Sequence, residues 1–369
     1  MIKIFSEGDD FFHSLERDIK LAKKYIYMEF YIFQLKEVGT KLLELLIKKQ
    51  KKSKIRIKVI LDGMGTKDFI DVFYKKIQFN SIELQVYKPF RYKLLFKSGF
   101  HQRDHRKIVL IDDKILYTGG MNIKDVFSYK IMQDRRWRDT MIRLTNSDKE
   151  IEKIIQQTKS DFICLWNSMK KKFYFFRKQF PLLYPIEKNA KYAIFSSLNR
   201  KRRLQFRKFY YDFLKEAKNF ICLATPYFIP PLRLIKILKE KSKQGVKIQI
   251  LTAGNTDVWI ARQAGRAVYS TLLKSGVQIF EYTERIFHSK HTITEKGVLI
   301  GSSNIDYRSF FHNLEIDFFT SNQAVIKAFI KQWEKDLKSS EQITLKNWEK
   351  RSIIEKITEK ISYAFKYYL

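Results

Sequence analysis

Apolar residues recur along this chain in two rhythms, and the same succession of rhythms runs twice. In Gly39 to Gln50, and again in Leu232 to Gln244, leucines and isoleucines fall three and four residues apart, the spacing of one face of an amphipathic helix. Branched residues alternate with polar ones in Ile55 to Leu61 and in Val246 to Leu251, which marks strands. Each of those runs ends in a glycine-containing turn, Asp62-Gly63-Met64-Gly65 or Ala253-Gly254-Asn255. Ahead of the helices, Ala22 to Ile32 and Ala217 to Ile229 share the pattern of a helix end running into a buried strand. A third strand is expected at Ile82 to Tyr87 and at Val277 to Tyr282. Both halves thus open β-α-β, and the expected class is α/β built from a duplicated unit.

The repetition extends to polar residues. His105-Arg106-Lys107 is followed by Asp112 and then Gly119-Gly120-Met121-Asn122, while His288-Ser289-Lys290 is followed by Gly301-Ser302-Ser303-Asn304. In the first copy, Ile108 to Ile111 and Ile115 to Tyr117 flank Asp112-Asp113-Lys114, the signature of a tight hairpin. Being two residues apart, His105 and Lys107 are expected on one face of a strand, with Asn122 returning beside them through the glycine pair. A single His-x-Lys is expected by chance in a chain so rich in lysine. Two copies in matching contexts, in a chain with 6 histidines, point to chemistry.

An imidazole, an ammonium and a carboxamide supplied twice suit attack on a phosphodiester. A neutral imidazole attacks phosphorus while a second, protonated one donates to the departing alkoxide. Charge then grows on the non-bridging oxygens, where Lys107, Lys290, Asn122 and Asn304 are the candidate donors. Histidines in such roles need a carboxylate on the second ring nitrogen, and Asp139 and Glu315, each downstream of its motif, are assigned to it. His13, His101, His291 and His312 lack a repeat and are read as surface residues or residues behind the site. Asp112 is read as serving the hairpin. No cluster has metal-ligand spacing, so neither a metal nor another cofactor is expected.

At 369 residues, with 45% hydrophobic residues and only 6 prolines and 13 glycines, the chain can bury a core in each half. The net charge of +33 directs it toward polyanions, either nucleic acid or an anionic bilayer, although the same lysines are what an A/T-rich genome favours. Two cysteines, Cys164 and Cys222, argue against a disulfide framework and for a reducing compartment. The first residues lack the pattern of a signal peptide. The longest uncharged stretch, Asn219 to Leu232, has 14 residues interrupted by prolines, short of a bilayer span.

Taken together, His105-Arg106-Lys107-Ile108-Val109, Gly119-Gly120-Met121-Asn122-Ile123, Trp137-Arg138-Asp139-Thr140, Thr225-Pro226-Tyr227-Phe228-Ile229-Pro230 and Asn304-Ile305-Asp306-Tyr307-Arg308-Ser309-Phe310 resemble the phospholipase D superfamily, and within it the bacterial cardiolipin synthases of a short type lacking N-terminal membrane helices. The resemblance spans nearly the whole chain. It implies a duplicated fold, two β-sheet lobes flanked by helices and related by a pseudo-twofold, with the active site between them. It also implies transfer of a phosphatidyl group from phosphatidylglycerol to a second phospholipid hydroxyl, with His105 as nucleophile and His288 as acid and base. A phospholipase D-type hydrolase and a nuclease of the same superfamily are the alternatives. One departure stands out: Glu295 occupies the place of the family's Asp, and the following hairpin is one residue shorter.

The expected organisation is an N-terminal half over 1–169, a basic and aromatic connector over 170–192, a C-terminal half over 193–340 and an amphipathic tail over 341–369. Val86 to Lys97, Lys170 to Lys178 and the tail mix basic with aromatic or aliphatic residues, as segments lying at a membrane surface do. They favour an anionic phospholipid partner over nucleic acid and a peripheral position on the cytoplasmic side of the membrane. The tail is equally readable as a helix packed on its own domain.

Overall fold

The computed structural model describes residues 1–90, 101–170 and 190–369. Strands β1 (Ile2–Phe5), β2 (Tyr25–Phe30), β3 (Arg56–Asp62), β4 (Ile82–Tyr87), β5 (Lys107–Ile111), β6 (Ile115–Gly119) and β7 (Met141–Thr145) form one sheet, in the order β1-β7-β6-β5-β2-β3-β4. The second sheet is built from β8 (Tyr192–Ser196), β9 (Phe220–Ala224), β10 (Lys247–Ala253), β11 (Gln278–Tyr282), β12 (His291–Thr294), β13 (Gly297–Gly301), β14 (Ile316–Thr320) and β15 (Ser340–Ile343). Its order, β15-β11-β10-β9-β12-β13-β14-β8, read backwards repeats the first with one added edge strand. The duplication expected from the sequence is therefore present strand for strand.

In each sheet three strands are parallel, β2-β3-β4 and β9-β10-β11, because a helix crosses over between them. Glu37–Ser53 and Leu232–Lys243 are the first crossovers, each presenting its leucine stripe to the sheet. The remaining strands pair antiparallel through hairpins. At the β5–β6 tip, Asp112 and Asp113 both have positive φ (55° and 57°), as a two-residue turn requires.

The central strands are buried on both faces, so their residues alternate between two cores. Val109 and Ile111 join the core between the first sheet and its own helices, whereas Ile108 and Leu110 join one shared with the second half. That shared core also takes Ile293, Val298, Ile300, Ile316 and Phe318, together with Trp166 from the long helix Lys149–Lys170. Buried ion pairs cross the same boundary: Arg138 with Asp336 and Arg202 with Asp161, each at 2.8 Å. An apolar layer of this extent makes the halves one body, and breaking a buried pair by removing one partner typically costs about 3–5 kcal/mol.

Strand β15 straddles the expected boundary at 341, and β8 begins at Tyr192, inside the span assigned to the connector. Most of that connector, and most of the basic segment after Tyr87, lie outside the described residues. Beyond β15, a capping box formed by Ser352 and Glu355 starts the C-terminal helix, Ile353–Ala364. Among the described residues no helix is long and apolar enough to cross a membrane.

Candidate active site between the two halves

His105 does not share a strand with Lys107, as the hairpin pattern led one to expect: β5 starts at Lys107, and in the second half β12 starts at His291, past His288. The reason is that the backbone ahead of each strand leaves its own sheet to bond the other half. His105 N–H donates to the Leu314 carbonyl at 2.9 Å, and Leu314 N–H donates back to Arg103 at 2.8 Å. In the equivalent place, Arg138 N–H donates to Ile286 at 2.9 Å and His288 N–H to the Arg138 carbonyl at 2.7 Å. Leu314 immediately precedes Glu315, and Arg138 immediately precedes Asp139.

Those crossings deliver each carboxylate to the histidine of the opposite half. His105 Nδ1 lies 3.1 Å from Glu315 Oε2, and His288 Nδ1 lies 2.6 Å from Asp139 Oδ2. An Nδ1–H donated to a carboxylate fixes the tautomer and leaves Nε2 as the free nitrogen of each ring. Neither half contains a complete imidazole–carboxylate pair by itself.

The two carboxylates are fully buried and held differently. Glu315 accepts from the hydroxyls of Ser302 and Ser309, the latter at 2.8 Å. Asp139 accepts from the Thr140 N–H at 2.7 Å and passes so close to Gly120 that a Cβ there would meet its Oδ1 at 2.1 Å. Burial pushes both carboxyls up, but the cations beside them prevail, Lys290 and His288 at Asp139 and His105 and Lys107 at Glu315, so both titrate below the ordinary range.

Burial, then the neighbouring ammonium, lowers both imidazoles, His105 below 6.5 and His288 to about 4. Burial also brings Lys107 down to about 7 and Lys290 to about 8. Their ammonium groups turn back onto the carbonyls of their own histidines, Lys107 Nζ at 2.5 Å from His105 O and Lys290 likewise on His288 O. Each ammonium also feels the buried carboxylates, Lys290 Nζ lying 3.9 Å from Asp139 Oδ2, but burial outweighs them, helped at Lys107 by the charge of Lys290.

A cavity of about 350 Å³ opens between the halves, and His105, His288, Asn122 and Asn304 all line it. Asp139, Glu315, Lys107 and Lys290 stand behind that wall, so the eight residues singled out from the sequence come together in two layers. Asn122 Oδ1 accepts from the Ile32 N–H at 3.0 Å, which turns the amide NH₂ the other way. Tyr31, Arg103, Lys124, Trp137, Asp257 and Arg308 also line the cavity. Tyr31 and Arg308 fall within segments already quoted from the sequence, Arg308 in the short helix Tyr307–Phe311, whereas Arg103, Lys124 and Asp257 come from loops with no periodic signal of their own. Trp137 also carried a hint, being beside Arg138-Asp139. His291 is buried against Phe329 and Ser289, and burial takes its ring down to about 3. Among the described residues no group of three or more His, Cys, Asp or Glu is placed to hold a metal ion.

Asp112 accepts from the backbone N–H groups of Lys23, Lys24 and Tyr25 at 2.5, 2.7 and 2.9 Å, pinning the hairpin to the start of β2. Glu295 does the same for Lys218 and Asn219 at 2.7 and 3.5 Å. The extra methylene of Glu makes up the reach that the shorter turn removes, which accounts for the exchange.

Comparison with known proteins gives the family. The family described as cardiolipin synthase, PLD-like domain matches residues 15–166 and 210–337, one segment in each half. The cardiolipin synthase of Clostridium perfringens is 30% identical over 98% of this chain and 75% of its own length. That of Oceanobacillus iheyensis is 29% identical over 98% of this chain and 74% of its own. Among solved structures, phosphatidylserine synthase of Haemophilus influenzae superposes with a TM-score of 0.76 at 14% identity, covering 100% of this chain and 95% of that one, a likeness of fold.

Proposed function

The chain belongs to the cardiolipin synthase family of phospholipase D-like proteins, and from that membership and the crossed half-sites we propose that it is a phosphatidyltransferase making cardiolipin from two molecules of phosphatidylglycerol at the cytoplasmic face of the membrane, held there peripherally. His105 Nε2 attacks the phosphorus of the first lipid and forms a P–N bond. The P–O bond to the headgroup glycerol breaks, and His288 supplies the proton that leaves with it. The headgroup hydroxyl of a second phosphatidylglycerol then gives its proton to His288 and attacks phosphorus. The P–N bond breaks and His105 is restored.

The lowered imidazole of His288 fits this cycle once substrate charge is counted. A phosphodiester anion beside His288 offsets Lys107 and Lys290 and raises that ring toward the acid form needed at the leaving group. Asn122 and Asn304 offer amide N–H donors to the non-bridging oxygens; losing one such donor typically costs about 2.7–4 kcal/mol of transition-state stabilisation.

The observation that carries this reading is the pair of carboxylate-backed imidazoles, one from each half, on one cavity wall. The test is product identification by mass after incubating purified protein with phosphatidylglycerol vesicles. Cardiolipin and free glycerol are expected. Phosphatidic acid alone would make the protein a hydrolase, and cleavage of DNA with no lipid turnover would make it a nuclease.

A further inference from the structure

The C-terminal helix, Ile353–Ala364, packs the wrong way round for a helix stabilised by its own hydrophobic face. Ile353, Ile354, Ile357 and Ile361 are exposed by 74, 76, 51 and 58%, and Phe365 just beyond by 50%. At 3.6 residues per turn these positions fall within an arc of about 120°. On the opposite side Glu359 and Ser362 are buried against the helix Trp259–Arg266. Glu359 is held there by Arg266, at 3.3 Å, and by Arg351. The polar face is thus clamped to the protein, and the apolar face is fixed outward.

The stripe also has a definite position. Arg266 meets Glu359 at one end of the helix pair, while Val258 and Ala261 at the other end line the catalytic cavity with Tyr368 and Leu369. The two helices therefore run antiparallel toward the cavity mouth, where Trp259 is 59% exposed. Lys360 is exposed on the same helix and Lys346 and Lys350 in the segment leading into it, against the exposed acids Glu349 and Glu355, in a chain of net charge +33. An apolar strip bordered by lysines beside the opening of a site is the pattern of a surface that enters the headgroup layer of an anionic bilayer.

We propose that the outward stripe of the C-terminal helix, with Trp259 at its far end, is the surface on which this protein sits in an anionic lipid bilayer, and that it seats the cavity mouth at headgroup level. This rests on the phosphatidyltransferase reading for its biological purpose. The test separates the two by using one lipid in two physical forms. The full chain and a variant carrying Ile353→Gln, Ile357→Gln and Ile361→Gln are compared, with Trp259→Gln as a second variant touching the other end. These side chains are exposed, so the fold tolerates the changes. Co-sedimentation with phosphatidylglycerol-containing vesicles is expected to fall at least tenfold in the triple variant and less in Trp259→Gln. Turnover of vesicular phosphatidylglycerol falls with it, while turnover of a monomeric short-chain phosphatidylglycerol stays at the parent level. Undiminished vesicle binding by the triple variant overturns the proposal. So does undiminished binding combined with loss of a dimer in solution, which assigns the stripe to a second copy of the chain. A parent protein that binds vesicles through the stripe but transforms neither substrate form overturns the functional reading and leaves the membrane surface standing.

Discussion

Asp139 reaches His288 from beside a glycine, and Glu315 reaches His105 from beside a serine. The two half-sites share a backbone plan and differ in how the carboxylate is accommodated. With Asp, the neighbouring residue must be Gly120, because the carboxylate occupies the space a Cβ needs. With the longer Glu, that space is filled by Ser302, whose hydroxyl donates to it. Charge placement survives duplication while the packing that delivers it drifts in matched pairs. Asp112 and Glu295 repeat the lesson at the hairpin: one methylene gained offsets one turn residue lost.

The comparison is broken most severely at the rings themselves. His105→Ala and His288→Ala are each expected to lower turnover on the order of 10⁴-fold, and the double variant scarcely further, because groups acting as a unit are not additive. Steady-state assays of all three check this; a double variant far worse than either single would mean independent sites. Next, Gly120→Ala is expected to cost about 10²-fold by displacing Asp139, since misplacement near 1 Å has that effect. Ser302→Ala removes one neutral hydrogen bond and is expected to cost under about tenfold. Equal losses at the two positions would show that the carboxylates are not held in different ways.

The pH profile sharpens the same comparison. His105 is lowered from 6.5, so its neutral, nucleophilic form is complete at neutral pH and is lost as pH falls through that lowered value. Lys107 and Lys290 lose their charge as pH rises through about 7 and about 8. In kcat, which reports the complex where substrate has raised His288, the falling limb is expected to follow loss of lysine charge, and Lys107→Arg, which stays charged, to move it upward. An unmoved limb would remove Lys107 from that role. The smallest effects belong to the hairpin pins: Asp112→Ala and Glu295→Ala are each expected to lower unfolding free energy by about 1–3 kcal/mol, Asp112 more, with kcat intact. Urea unfolding beside activity measures both.

Much of this was legible in the sequence because duplication is its own control. Strand β4 falls at Ile82–Tyr87, where a third strand of the repeat was expected, and the repeated His, Lys and Asn meet at one place. The crossing of the carboxylates was hidden, because Asp139 and Glu315 lie near their own motifs in sequence and only docking of the halves sends each to the other. The inward turn of Lys107 and Lys290 was hidden for a related reason: their carbonyl partners exist only where the chain leaves the ladder. Periodicity marked the stripe of the C-terminal helix correctly but carried no information on which face meets the protein. That was decided by Glu359 and its arginines, a contact between residues 93 apart in the case of Arg266.

A phosphatidyl ester with a nitrophenol leaving group, which needs no proton to depart, tests the shared site most directly. The His288→Ala variant mixed with it is expected to release one equivalent of nitrophenolate per protein in a burst and to carry a phosphatidyl mass on His105, while His105→Ala gives neither. A burst and adduct in His105→Ala, or steady release with no adduct in His288→Ala, would contradict attack by His105 on a phosphate shared between the halves.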